Sequence, residues 1–374
     1  MRILQINTNF RAGGIQRHIL DLTAFLQAAG QEVTLAGDLG EWALAKDDPG
    51  FVPLELNRVS ALGGSMFGRI AALMPIVRQL RNTLKQRRIQ LVHAHETAPA
   101  LVAGLARTGL NIPMILTYHG SEPGRIASVA RLARRFADLT VSPSRTSLDH
   151  LIDFGVAREK TQVIGLGVKP LPPVDVKDVA AYRAQLLGGK GRYLVSSLSR
   201  LAPQKGIDMM IEVARKVADR RKDVVFAVGG HGPLARHVEQ WALITGVSER
   251  VKFLGPVSRV ERLLAASDLY LLTSRWEALP ISIFEAFQSA LPVVATDCGG
   301  VRELVDDRVG RMLQVGDVAG LAEAVLELIE DDELRRRLGQ NALALSRDER
   351  FSSPAVHRSF LELYRGMIDG GLNN

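Results

Sequence analysis

The chain has 374 residues, 47% of them hydrophobic, and a single cysteine, Cys298. That length suffices for two domains with substantial cores, and one cysteine excludes an internal disulfide framework and fits a reducing, cytoplasmic setting. The formal charge of +7 is uneven: residues 1–168 hold 19 Lys and Arg against 13 Asp and Glu, a net of +6, whereas residues 169–374 hold 28 against 27, a net of +1. The basic excess of the first half points to an anionic partner, whether membrane surface, nucleic acid or acidic substrate.

The N-terminus enters a strand at once, over Ile3–Ile6, and lacks the apolar stretch of a signal peptide. No apolar run reaches the ~18 residues that would suggest a membrane span. Gly13-Gly14 opens a helix to about Ala29, with Ile15, Ile19, Leu22 and Leu26 on one face. The pair does not complete a Gly-x-Gly-x-x-Gly, so a dinucleotide site is not expected there. Val33–Ala36 is the next strand. Residues 69–88 read as a basic amphipathic helix: Ile70, Leu73, Val77, Leu80 and Leu84 form an apolar stripe, with Arg78, Arg81, Lys85 and Arg88 beside it. Such a helix either lies on an anionic membrane, with Gly63 to Phe67 as a flexible apolar loop, or packs on a sheet. Strands follow at Leu91–His95, Met114–His119 and Leu139–Ser142, and this alternation implies a parallel, doubly wound α/β sheet. His95 and His119 both end strands; His95 reads as architectural.

Gly165 to Pro173, with Pro170, Pro172 and Pro173, breaks the alternation and reads as an interdomain linker. A second series then runs through Tyr193–Ser197, Val224–Val228, Val251–Leu254, Leu269–Leu272 and Val293–Ala295. The loop after its first strand carries Arg200 and Lys205, five apart, so both cations can converge on a diphosphate. Gly229-Gly230-His231-Gly232 is a strand–helix turn.

The densest stretch is 274–303. Glu277 stands in the loop after the strand Leu269–Leu272. Pro280 precedes a largely apolar helix containing Ile281, Ile283, Phe284, Phe287 and Leu291, and Glu285 lies on that helix. In an open parallel sheet ligands bind beyond the carboxyl ends of the strands. The loop amides and first helical turn there suit phosphate. A carboxylate suits neutral hydroxyls instead, so Glu277 and Glu285 can each hold one sugar of a nucleotide sugar. No Asp-x-Asp follows an apolar strand, no His/Asp cluster has metal-ligand spacing, and no Ser-His-Asp set is present.

Glu277-x7-Glu285, followed by Pro292-Val-Val-Ala-Thr296 and Gly299-Gly300-x-x-Glu303, resembles the signature of family-4 retaining glycosyltransferases of the GT-B fold. The resemblance implies two Rossmann-like domains facing a cleft: an acceptor-side domain over 1–168, a linker over 169–190, a nucleotide-sugar domain over 191–350, and a C-terminal helix over 351–374 crossing back to the first domain. It implies that Arg200 and Lys205 hold the diphosphate, Glu277 the donor sugar's hydroxyls and Glu285 the ribose. His119 would bond the transferred sugar near its reactive carbon. Gly13 and Gly14 would let the backbone approach the donor phosphate, and Gly230 would lie near the nucleotide. Where the family commonly has Glu-Gly-Phe-Gly-Leu, this chain has Glu277-Ala-Leu-Pro-Ile281; the amides of Leu279 and Ile281 can serve phosphate, whereas Pro280 has none. Neither cofactor nor metal is expected, and the family's account has no covalent nucleophile.

The function expected is hexosyl transfer from a nucleotide-sugar donor to a glycan or lipid-linked acceptor in envelope or exopolysaccharide assembly, with possible contact to an anionic membrane. A GT-B epimerase or phosphorylase is the nearer alternative, and a non-catalytic protein binding an anionic surface or nucleic acid the more distant one. With 5% aromatics and no stacking platform, a nucleic-acid partner is not expected.

Overall fold

The computed structural model describes residues 1–11, 13–40, 48–57, 66–189 and 191–370, with only the backbone of 66–71. The chain divides into two compact units, one of Met1–Gly167 with the stretch from Ser353 onward, the other of Val168–Ser352.

The first unit is built on seven parallel strands: β1 (Arg2–Asn9), β2 (Glu32–Asp38), β3 (Phe51–Pro53), β4 (Leu91–His95), β5 (Met114–Thr117), β6 (Leu139–Ser142) and β7 (Thr161–Val163), in the order β3-β2-β1-β4-β5-β6-β7. The strands are short and apolar because helices cover both faces of the sheet. The order reverses between β1 and β4, so the loops after these two strands part from each other. Strand β5 stops at Thr117, and His119 lies two residues beyond it rather than at its end.

The helix Met66–Gln86 settles the alternative posed by its sequence. Val77, Leu80 and Leu84 are buried in a core with Leu54, Leu56, Ile89 and Val102, and Leu73 packs against it. Leu73, Val77, Leu80 and Leu84 of the apolar stripe are therefore spent on the sheet and are not a free face for a membrane. Arg81 is also engaged, donating to the carbonyls of Ala106 and Thr108 at 2.8 and 2.7 Å. Arg78, Lys85 and Arg88 remain exposed. Of the loop expected over Gly63 to Phe67, residues 63–65 lie outside the described residues, and Met66 and Phe67 belong to the helix. The helix Ser353–Asp369 buries Val356, Phe360, Leu361 and Tyr364 against Ile3, Leu91 and Ile115 of the first sheet and Leu22 of the helix Gly14–Ala28.

The second unit has six parallel strands: β8 (Tyr193–Leu198), β9 (Val224–Gly229), β10 (Val251–Gly255), β11 (Leu269–Leu272), β12 (Val293–Asp297) and β13 (Gly310–Gln314), in the order β10-β9-β8-β11-β12-β13. The reversal here falls between β8 and β11. Residues 169–189 fall within this unit. They include a helix, Val176–Leu187, capped by the Asp175 carboxylate, with Leu186 buried beside Leu194, Val225 and Ala227. Among the described residues no helix is long and apolar enough to cross a membrane.

Candidate active site

In the second unit the loops after β8 and β11 are tied together. Thr273 Oγ1 donates to the carbonyls of Lys205 and Gly206 at 3.1 and 3.0 Å. The Arg275 amide donates to Gln204 O at 2.7 Å, and Gln204 Nε2 returns a bond to Trp276 O at 2.8 Å. The Arg275 guanidinium grips the Asp208 carboxylate through two bonds of 3.0 and 2.6 Å and holds it below the usual carboxylate range. This lacing joins Lys205 to Glu277: Nζ lies 2.5 Å from Oε1. Ser274 Oγ donates to the same oxygen at 2.6 Å. The Glu277 side chain is only 8% exposed. Its other oxygen, Oε2, takes no hydrogen bond from the described residues, so it can accept one from a ligand hydroxyl.

Gly299 explains part of the motif that follows. Its φ is +53°, and a Cβ there would stand 1.8 Å from Glu277 O. Any other residue would push the Glu277 backbone out of place. Gly230 has φ +143° and meets the backbone of Ser199 in the same way, next to Arg200. Its conformation serves the packing of the two loops. Arg200 is exposed, and among the described residues its guanidinium has no partner, in contrast with Lys205.

The helix Ile281–Gln288 starts directly after Pro280, with no side-chain cap. The amides of Ile281 and Ser282 therefore lack intrahelical partners, whereas that of Ile283 donates to Pro280 O at 3.2 Å. Leu279 is buried and Ile281 half-buried. Glu285, also half-buried, acts with Glu277 on Tyr270, a residue that sequence reasoning passed over as one more apolar position of β11. The Tyr270 ring is fully buried, and its hydroxyl accepts from Leu198 N at 3.1 Å and donates to Leu198 O at 3.0 Å. It clamps the end of β8 just before the Arg200 loop. Burial first, and then the two carboxylates, hold its pKa well above the usual tyrosine value, so the hydroxyl keeps its proton. The signal was present: a tyrosine in an aliphatic strand must find a partner for its hydroxyl. Cys298 is buried, and burial followed by the Glu277 charge pushes its thiol up to about 12, which removes it as a nucleophile.

The first unit gathers a second set of groups at its own reversal. Gly13 and Gly14 open the helix Gly14–Ala28, again without a side-chain cap. Five histidines cluster beside it: His18, His93, His95, His119 and His357. His93 meets Tyr364 OH through Nδ1 at 2.5 Å and Thr117 Oγ1 through Nε2 at 2.6 Å. His95 meets His119 Nε2 at 3.2 Å and Gln5 Oε1 at 3.1 Å. His18 is buried among them, its ring centroid 6.2 to 6.4 Å from those of His95, His119 and His357, and neither of its nitrogens has a partner among the described residues. Burial lowers four of them: His93 to about 3, His119 to about 4, and His18 and His95 well below the usual value, neighbouring imidazoles adding to the effect for all but His119. These four imidazoles are thus neutral at physiological pH. Among the described residues no three His, Cys, Asp or Glu side chains could together hold a metal ion. Sequence reasoning found His119 and saw His95 only as architecture. It missed His18, which shares a helix face with Ile15 and Leu22.

Comparison with known proteins matches each part of the chain. Residues 178–344 match the family described as Glycosyl transferases group 1, and residues 12–170 match Glycosyltransferase Family 4. The chain belongs to the glycosyl transferases group 1. Among relatives of this family, N-acetyl-alpha-D-glucosaminyl L-malate synthase of Bacillus anthracis is 26% identical over 326 residues, 79% of each chain. Phosphatidyl-myo-inositol mannosyltransferase of Mycolicibacterium smegmatis is 25% identical over 372 residues, 96% of this chain and 92% of that one. The solved structure of Anabaena Alr3699/HepE in complex with UDP-glucose superposes with a TM-score of 0.83 at 24% identity, covering 98% of this chain and 100% of that one. The fold is accordingly GT-B, with two Rossmann-like parallel-sheet domains.

Proposed function

We propose that this glycosyltransferase moves a hexose from a nucleoside diphosphate sugar to a hydroxyl of a glycan or lipid-linked acceptor, with retention of configuration and without a divalent metal. The observation that carries the reading is the buried Glu277 carboxylate, held by Lys205 and Ser274 at the reversal of a parallel sheet with Oε2 left to accept. A carboxylate fixed in this way binds sugar hydroxyls, and Glu285, eight residues on, takes the ribose. The unpaired Arg200 guanidinium and the first-turn amides after Pro280 meet the diphosphate, with Lys205 beside them. Gly13, Gly14 and His119 contribute from the first unit, the glycines to the donor phosphate and His119 to the transferred sugar.

In the reaction the acceptor oxygen bonds to the anomeric carbon as the bond from that carbon to the phosphate oxygen breaks. The acceptor's proton passes to the departing phosphate, which leaves on the same face. Fixed cations stabilise the charge that develops on the leaving group. The UDP-glucose of the Anabaena structure supports the donor class, and the phosphatidyl-myo-inositol acceptor in the name of the Mycolicibacterium relative supports a lipid-linked one. A cytoplasmic membrane surface would then be met through exposed charges such as Arg78, Lys85 and Arg88, not through the buried stripe.

Turnover of nucleotide sugars differing in base and hexose, UDP-glucose among them, tests the reading, with the product anomer read by NMR. Activity in excess EDTA is expected. Complete loss in EDTA, restored by Mg²⁺ or Mn²⁺, contradicts metal independence, and an inverted product contradicts retention.

A further inference from the structure

The histidine cluster contains a directed chain of hydrogen bonds. It begins in the buried sheet: Gln5 Nε2 donates to Thr23 Oγ1 at 3.1 Å, which leaves Gln5 Oε1 facing His95 Nε2 at 3.1 Å. Gln5 and His95 are both fully buried, on the adjacent strands β1 and β4. An amide oxygen only accepts, so His95 carries its proton on Nε2. A neutral imidazole holds one N–H, so His95 Nδ1 is left as a lone pair. That nitrogen faces His119 Nε2 at 3.2 Å. Two neutral rings can share a hydrogen bond only if one donates, so the proton of His119 lies on Nε2 as well.

We propose that Gln5 and His95 act as positioning residues that fix His119 in the Nε2-protonated tautomer, so that its Nδ1 presents a lone pair to the transferred sugar. Nδ1 has no partner among the described residues, and unlike both nitrogens of His18 it is not sealed from solvent. The neutrality of His95 and His119 supports this, since an imidazolium would donate from both nitrogens. A consequence for specificity follows. A ring nitrogen that only accepts selects a donor sugar with a hydroxyl at the position it meets. It disfavours one bearing a carboxylate or fluorine there, which accept but cannot donate. The substrate class is therefore a neutral hexose rather than a uronic acid. This inference rests on the reading of His119 as a sugar contact, whereas the tautomer itself does not.

Nitrogen–proton correlation spectra of the full chain labelled with ¹⁵N-histidine, with His119 assigned from the His119→Asn spectrum, read the tautomer without substrate. The expected result is a proton on Nε2 of His119 in the wild type and a mixture of both tautomers in His95→Phe, which fills the space but offers no nitrogen. Gln5→Met, which keeps His95 and removes its acceptor, is expected to give the same mixture and stands in if His95→Phe does not fold. A wild-type proton on Nδ1, or an unchanged tautomer in the variants, overturns the proposal. Failure to turn over any nucleotide sugar would overturn the proposed function and leave the tautomer result intact. With turnover established, a 10-fold or smaller loss of kcat/KM for a donor fluorinated at the position met by His119 would overturn the specificity.

Discussion

Replacing Lys205 by methionine tests whether Glu277 is held as a buried ion pair. Methionine keeps most of the apolar stem and removes the ammonium. The side chains of Lys205 and Glu277 are 18% and 8% exposed, so loss of the cation strands a carboxylate with one hydroxyl, that of Ser274, for company. Removing one partner of a buried pair costs about 3–5 kcal/mol, and the residual exposure of Lys205 places this pair near the lower end. For a domain the size of the second unit each kcal/mol shifts the midpoint by about 2–4 °C, so a loss of about 6–12 °C is expected. Calorimetry near neutral pH reads it. The double variant Lys205→Met/Glu277→Gln leaves no charge buried and should recover at least half of the stability while remaining inactive. A midpoint for Lys205→Met within about 1 °C of wild type would refute the buried-pair argument. An equal loss in the double variant would show that the damage comes from packing and not from a stranded charge.

Arg200→Ala should lower turnover on the order of 10²-fold or more, as loss of one transition-state donor does, while leaving the midpoint unchanged because the side chain is exposed and unpaired; near-normal rates would remove Arg200 from the diphosphate site. Glu285→Gln should weaken binding of the bare nucleoside diphosphate in calorimetric titration, whereas Glu277→Gln should leave that binding almost intact and damage transfer. If both variants bind the nucleotide normally, the ribose role of Glu285 is wrong. Stability should also fall in acid. His93 has its pKa lowered to about 3 by burial first and His119 second, against ~6.5 in the unfolded chain. The unfolded state thus takes up the proton first, so the contribution is complete above about pH 6.5 and declines by about 1.4 kcal/mol per pH unit below it. That amounts to about 2 kcal/mol for His93 alone by pH 5. Urea midpoints that stay flat between pH 7 and 5 would contradict this.

Local chemistry carried far in this protein. The strand Leu91–His95 and the helix opening at Gly14 stand where periodicity and glycine place them, and the helix after Pro280 begins at Ile281, because strand and helix signals are written within a few residues. The motif from Ser274 to Glu303 was enough to name the family. What lay beyond it depended on residues distant in the chain. The amphipathic pattern of residues 69–88 is the same whether its stripe meets lipid or sheet, and only the packing of Val77, Leu80 and Leu84 into the core decided for the sheet. Lys205 looked like a second diphosphate cation beside Arg200. The lacing of two loops 72 residues apart also gave it a carboxylate partner, which the sequence did not show. His18, His93, His95, His119 and His357 come from both ends of the chain, and no spacing rule links them. Hydrogen bonds and ion pairs of this kind have a range of about 3 Å, so the sequence can supply the groups, but only the folded backbone sets which ones meet.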